Sequence, residues 1–342
     1  MAAPGAGHEY PPEAVSWLKR DVLLFATSIG ATVDELHFLY VRLAPKTTKP
    51  FIPPEDQTSL TPNPQELHPN FAAFPTYPII LPFKKTTQEV IDFYAAQSAN
   101  DGSIPGIPTL DSKRVVDGER SMTFLRPIPP TSSGRTFELR RRILGVYDKG
   151  KPGTVMETQM DLVETGSGRD EVYARITGSA FFVGQGGWGG PKGPKSPNFP
   201  PPEGREPDAV YEHATTAQTP HLYRLNGDYN PLHATPEPGE AMGFGGAILH
   251  GLYSWNSTAF GLLKLLGASE PGNLREFSAR FASPVKPGDC LVTRIWRLGE
   301  RDGEGFEEVR FVTSVKGGKV CLSNGRARVR VVGLQNGGGS KL

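Results

Sequence analysis

The sequence predicts an α+β protein built from two copies of one unit, each an antiparallel sheet with a helix. Three observations lead there. Short apolar runs bounded by turn residues follow one another from 118 to 184 and again from 290 to 332, the pattern of antiparallel meanders. A helical stripe over 252–266 precedes the second series. The halves also share a faint repeat. Phe124-Leu125-Arg126-Pro127-Ile128-Pro129 and Arg280-Phe281-Ala282-Ser283-Pro284-Val285-Lys286-Pro287 both enter a strand through paired prolines, and three strands follow each.

Composition sets the outer limits. A chain of 342 residues corresponds to about two domains and can bury a sizeable core without staples. Gly (40) and Pro (33) supply about a fifth of the positions, which implies short elements, many turns and a few long loops. Lys+Arg (37) and Asp+Glu (36) nearly cancel, so no global field recruits nucleic acid or anionic lipid. There is no apolar run of about 18 residues to span a membrane. The opening MAAPGAGHEYPPEA lacks the basic and apolar regions of a secretory signal. Cys290 and Cys321 are too few for a disulfide framework, and both fall in strand candidates as packing residues.

The elements follow in order. Residues 11–45 hold a helix pair, with Val15, Leu18, Val22, Leu23 and Phe25 striping 14–31. Residues 46–71 are Pro- and Thr-rich and read as a loop, and 74–83 is a short apolar segment between prolines. A surface helix is expected over 86–99. Strands are expected over 120–126, 136–147, 154–164 and 172–183, separated by Asp148-Lys149-Gly150 and Gly166-Ser167-Gly168. The glycine- and proline-rich stretch 184–207 lacks a phosphate-loop pattern and reads as a linker, in which Trp188 either stacks a ligand or anchors the loop. Strands over 290–298, 306–315 and 320–332 close the chain. In the last, Ala327, Val329 and Val331 alternate with Arg326, Arg328 and Arg330, an edge-like, half-buried pattern. The resulting divisions are 1–190, a linker over 191–207, 208–334 and a tail over 335–342. The tail's Ser340-Lys341-Leu342, after a run of glycines, reads as a peroxisomal import address, with an import receptor as partner.

Chemistry concentrates between 213 and 250, which holds four of the seven histidines, His213, His221, His233 and His250. Within Tyr223-Arg224-Leu225-Asn226-Gly227-Asp228-Tyr229-Asn230-Pro231-Leu232-His233, Gly227 and the Asn-Pro step mark sharp turns. Asp228, Asn230 and His233 then project from one tight loop. A carboxylate beside an imidazole can hold a water, take its proton and return one elsewhere. An ordinary Asp/Asn turn with a surface histidine accounts for the spacing equally. Gly251 opens the 252–266 helix, where backbone N–H groups lack intrahelical partners, and so is either an oxyanion donor or a plain N-cap glycine. A zinc set of His213, His221, His233 and Asp228 lacks helical ligand spacing, so no metal is expected.

The 223–233 stretch resembles the signature of the MaoC-like (R)-specific enoyl-CoA hydratase 2 family, which includes the hydratase unit of peroxisomal multifunctional enzyme type 2. Ile248-Leu249-His250-Gly251-Leu252 matches at the family's spacing. So do Phe74-Pro75-Thr76-Tyr77, Gly118-Glu119 and Phe182-Val183-Gly184 through Gly190 in the first half, and Pro287-Gly288 in the second. The resemblance covers roughly 11–332. It implies a double hot-dog fold, two antiparallel sheets each wrapping a helix, with catalysis in the C-terminal half and an acyl-chain tunnel shaped by the N-terminal half. It also implies reversible hydration of trans-2-enoyl-CoA to (3R)-3-hydroxyacyl-CoA without metal or organic cofactor, in peroxisomal fatty-acid β-oxidation or in tailoring a secondary-metabolite precursor. Asp228 and His233 match the catalytic pair, Asn230 the water-positioning residue and Gly251 the oxyanion donor. Arg280, Lys286 and His250 are candidate substrate-binding residues, and a homodimer is an expected assembly. Thr235, Ala247 and Tyr229 depart from common family residues without removing a group the chemistry needs, and 84–112 fits relatives poorly. Three other readings share parts of this architecture: a dehydratase acting on carrier-bound acyl or polyketide thioesters, a hot-dog acyl-CoA thioesterase, and a non-catalytic acyl-CoA-binding protein.

Overall fold

The computed structural model describes residues 4–39, 70–86, 89–98, 104–111, 114–166 and 168–332. Nearly all of the 46–71 loop and the whole tail with Ser340, Lys341 and Leu342 lie outside the described residues.

Ten strands form one antiparallel sheet. They are β1 (Glu13–Val15), β2 (Val115–Phe124), β3 (Thr136–Asp148), β4 (Gly153–Thr165), β5 (Glu171–Val183), β6 (Ala209–Ala214), β7 (Leu274–Phe281), β8 (Cys290–Arg301), β9 (Glu307–Val315) and β10 (Val320–Val329). Their order across the sheet is β1-β3-β4-β5-β2-β7-β10-β9-β8-β6. Read outward from the centre, both halves run in the same sequence, so β2 and β7 meet at a pseudo-two-fold axis. There Ser121 faces Ser278 and Met122 faces Phe277. The repeat seen in the sequence marks this joint, since Phe124 and Phe281 are the last residues of the two central strands. With one apolar stripe per strand turned inward, the sheet has to wrap something.

In the second half it wraps a helix. Six α-helices are described: α1 (Lys19–Ser28), α2 (Leu81–Lys84), α3 (Phe93–Ser98), α4 (Thr219–Tyr223), α5 (Pro236–Ala241) and α6 (Gly251–Gly267). Helix α6 packs against β6, β7, β8 and β10, and it is buried nearly all round, as a core helix must be. Leu252, Trp255, Ala259, Leu262, Leu263 and Leu266, the residues of its apolar stripe, all lie in the core. The equivalent stretch of the first half, between β1 and β2, is broken. Pro78 and Pro82 interrupt it, and Lys85 at φ 53° ends α2 after one turn.

Several expectations change. The stripe over 14–31 is a three-residue strand and a ten-residue helix, split at Leu18, whose N–H is accepted by the Asp21 carboxylate at 2.8 Å. The helix expected over 86–99 is only α3. Strand β10 is not an edge but lies between β7 and β9. Its Arg326 pairs with Glu276 and Glu308, while Ala327 and Val329 point into the core. The 184–207 stretch carries no helix or strand. Trp188 donates its Nε1–H to Thr154 Oγ1 at 2.9 Å and packs beside Ile143 and Val146, so it anchors the loop.

One buried ion pair ties the first half to the functional loop. Lys84 Nζ lies 3.2 Å from Asp21 and donates to the Ser16 carbonyl at 2.8 Å, with both side chains only 7% exposed. The Lys84 backbone in turn abuts Gly227. Replacing Lys84 by Met keeps the chain's bulk but strands a buried carboxylate, a loss of about 3–5 kcal/mol. A urea titration checks this, and a loss under about 1 kcal/mol would mean the pair is not a structural tie.

Candidate functional site

Three turns of backbone place the site. A 3₁₀ turn over Arg224–Asn226 ends at Gly227, whose φ of 113° only glycine adopts readily. Asn230 then caps the Pro231–His233 turn, its Oδ1 accepting the Leu232 N–H at 3.0 Å. That leaves the Asn230 amide N–H groups for other partners. Asp228 Oδ1 accepts the Asn230 N–H at 3.2 Å. Arg224 holds the far side, donating to the Tyr229 carbonyl at 3.2 Å with its guanidinium over the Tyr229 ring.

Asp228, His233 and His250 converge, with nitrogen and oxygen atoms all within 4.8 Å of one another. His233 Nδ1–H donates to the Ile248 carbonyl at 2.9 Å, which leaves Nε2 with a free lone pair. Burial pushes His233 down to about 4 and Asp228 up to about 6, each disfavouring the charged form. His250 is held well below its ordinary range, first by burial and then by His233. Near neutral pH both imidazoles are therefore uncharged, and the carboxyl reaches its midpoint only near pH 6.

Gly251 is the first residue of α6. It is exposed while His250 and Leu252 on either side are buried. Its N–H has no intrahelical acceptor and lies at the positive end of the helix dipole. A Cβ here would stand 3.2 Å from the Phe281 ring, so a larger residue would press on the end of β7. A carboxyl beside a neutral imidazole can take up and return a proton, and a helix N-terminal N–H can donate to an oxyanion.

The comparisons agree. A model described as MaoC like domain matches residues 198–319. A probable dehydratase, NIT22, of Ajellomyces capsulatus is 48% identical, over 94% of this chain and 81% of that one. The chain belongs to the MaoC-like hydratase 2 family. A protein of Arabidopsis thaliana named enoyl-CoA hydratase 2, peroxisomal, is 28% identical over 86% of both chains. The crystal structure of a MaoC-like dehydratase from Phytophthora capsici superposes with a TM-score of 0.73 at 30% identity, covering 97% of each chain. As a member of this family the protein is a hydro-lyase with a double hot-dog fold.

Within this MaoC-like site the sequence-derived residues fare differently. Asp228 and His233 come together with His250, Gly251 is the next residue along, and the Asn230 side chain caps the turn that bears His233. His250, expected among the substrate-binding residues, is 1% exposed, and its Nε2–H donates to the Asp228 carbonyl at 3.1 Å. Arg280 reaches across the β2–β7 joint to Glu119 at 3.2 Å. Lys286 is exposed, its ammonium beside Gly245 in the loop that leads to Ile248. The zinc set is not assembled, because His213 Nε2 is engaged by the Tyr253 hydroxyl at 2.7 Å and His221 is exposed on α4. Burial raises the Cys321 thiol to about 12, as suits a packing residue. Arg224, to which the sequence alone assigned no role, stands out in the turn-rich 223–233 run only as its one Lys or Arg.

Proposed function

We propose that the protein catalyses reversible hydration of trans-2-enoyl-CoA to (3R)-3-hydroxyacyl-CoA. The observation that carries this reading is the convergence of Asp228 and a neutral His233 on His250, immediately before Gly251 opens α6. The Gly251 N–H donates to the thioester oxygen and stabilises the enolate-like charge that develops there, worth roughly 3–4 kcal/mol for one such donor. Asn230 and His233 hold a water against C3. His233 Nε2 takes one of its protons as the oxygen bonds to C3, the double-bond pair shifts towards the carbonyl, and the Asp228 carboxyl delivers its proton to C2. Proton return from His233 to Asp228 resets the pair. The reaction is redox-neutral and needs no group beyond these. The name of the plant relative supports the peroxisome as its compartment.

Incubation with enoyl-CoAs of graded length and branching, followed by chiral analysis of the product, tests the reading. A 3S product, or release of free CoA, would overturn it. Turnover of an acyl-carrier thioester but not of the CoA ester would move the substrate class to carrier-bound chains.

The assignment of roles has a pH signature. The active form carries a protonated Asp228 and a neutral His233. In kcat/KM, hydration should therefore fall above about 6 and below about 4, the pair titrating as a unit. A rate that rises through pH 6 would mean that Asp228 acts as a carboxylate and would overturn its role as the proton donor.

A further inference from the structure

We infer that His250 is a positioning residue, one side chain that locks both members of the acid–base pair to the helix bearing the oxyanion donor. This rests on the hydration reading above. Its backbone belongs to α6, since the His250 carbonyl accepts the Tyr253 N–H at 3.0 Å and the next residue is Gly251. The side chain belongs to the loop. Its Nε2–H donates to the Asp228 carbonyl, an acceptor that belongs to no helix or strand ladder. Its ring stacks on His233, centroids 3.8 Å apart and planes 30° apart, while the Tyr223 ring packs 5.0 Å away.

The hydrogen bond fixes the tautomer. With the proton on Nε2, Nδ1 is an acceptor, and it is buried with no partner among the described residues. An acceptor cannot bind a thioester oxygen, so the ring does not serve substrate through that atom. Packing alone would be met by an apolar ring with no orphaned nitrogen. What histidine adds over phenylalanine is the Nε2–H, and that proton goes to the residue bearing the carboxyl. Misplacing a reacting group by about 1 Å can cost on the order of 10²-fold in rate, so a bond of this kind matters at kcat rather than at binding.

The test uses His250→Phe, which keeps a stacking ring but loses the donor, and His250→Gln, whose amide N–H can reach the same carbonyl. Read-outs are kcat and KM for enoyl-CoA hydration, the thermal midpoint, and the ring-nitrogen NMR shifts of His233. His250→Phe should lower kcat about 30–300-fold with KM within about threefold, and His250→Gln should recover at least about tenfold of that loss. The His233 ring-nitrogen signals should be sharp in the wild type and in His250→Gln and broadened in His250→Phe, while the Ile248 carbonyl keeps the Nδ1–H tautomer in all three. If His250→Phe does not fold, His250→Asn, whose shorter amide falls short of the carbonyl, replaces it. Hydration in the donor-lacking variant within about threefold of wild type overturns the inference. So does a His250→Gln no better than His250→Phe at equal thermal midpoint. If the wild type hydrates no enoyl thioester, the hydration reading fails by itself, and the sharp or broadened His233 signals still decide whether His250 holds the pair in place.

Discussion

Asp228→Asn should lower hydration by about 10²–10⁴-fold and at the same time make the protein harder to unfold at neutral pH. The first effect follows from the role of the carboxyl as the proton donor to C2, which an amide cannot fill. The second follows from linkage. In the folded protein burial lifts the Asp228 carboxyl from its ordinary 3.8 to about 6. Below pH 3.8 it is protonated whether the chain is folded or not, and burial costs nothing. As pH rises through 6 the folded state must ionise a buried group, and that stability is lost. A shift of this size corresponds to about 2–3 kcal/mol at full burial, and a partly exposed loop keeps about 1–2 of it. Asparagine has no proton to lose, and its Oδ1 still accepts the Asn230 N–H. Urea titrations should separate the variant from wild type at pH 7 and bring them together near pH 4. His233→Gln should lose hydration comparably. Its linkage runs the other way: His233 is depressed to about 4, so its stabilising contribution is complete above 6.5 and is lost as pH falls through 4. Near-normal hydration in both variants would remove this site assignment.

What the sequence disclosed divides along physical lines. Helix α6 was legible to within one residue at each end, because a fully wrapped core helix has a long stripe and a glycine at both termini. Strands β3, β4, β5, β8 and β9 were also legible, being long, alternating and bounded by turns. Strands β1 and β6 were not, since three and six residues carry too little periodicity to rise above a loop. Strand β7 escaped because its buried residues, Leu274, Phe277, Ser278 and Ala279, do not alternate. The catalytic loop was legible through its turn chemistry and its resemblance to known hydratases. The place of His250 was not, because its partners Asp228 and His233 lie 22 and 17 residues away and only the fold brings them onto one ring. For the same reason the contact between Lys84 and Gly227 leaves no trace in either local segment.

That contact supplies the second large effect. Gly227→Ala should cost about 3–5 kcal/mol of stability and, in whatever protein still folds, at least about 10²-fold of hydration. Two causes add. A φ of 113° is unfavourable for any residue with a Cβ, by about 1–3 kcal/mol. A methyl would also stand 2.7 Å from the Lys84 nitrogen and 2.8 Å from its Cα. These are backbone atoms in the last turn of α2, pinned by the buried Lys84–Asp21 pair, and they have no rotamer with which to yield. Either α2 moves off the core of the first half or the loop moves, and Asp228 is the next residue along. Gly246→Ala separates the causes. Its φ of 124° is comparably strained, but a Cβ there meets nothing within 4 Å, so its loss should stay near 1–3 kcal/mol. The difference between the two variants then measures the collision alone. If they are equally stable, and Gly227→Ala hydrates within about threefold of wild type, the first half does not brace the catalytic loop. A Gly227→Ala protein that folds but loses kcat would show that the first half sets the position of the Asp228 loop.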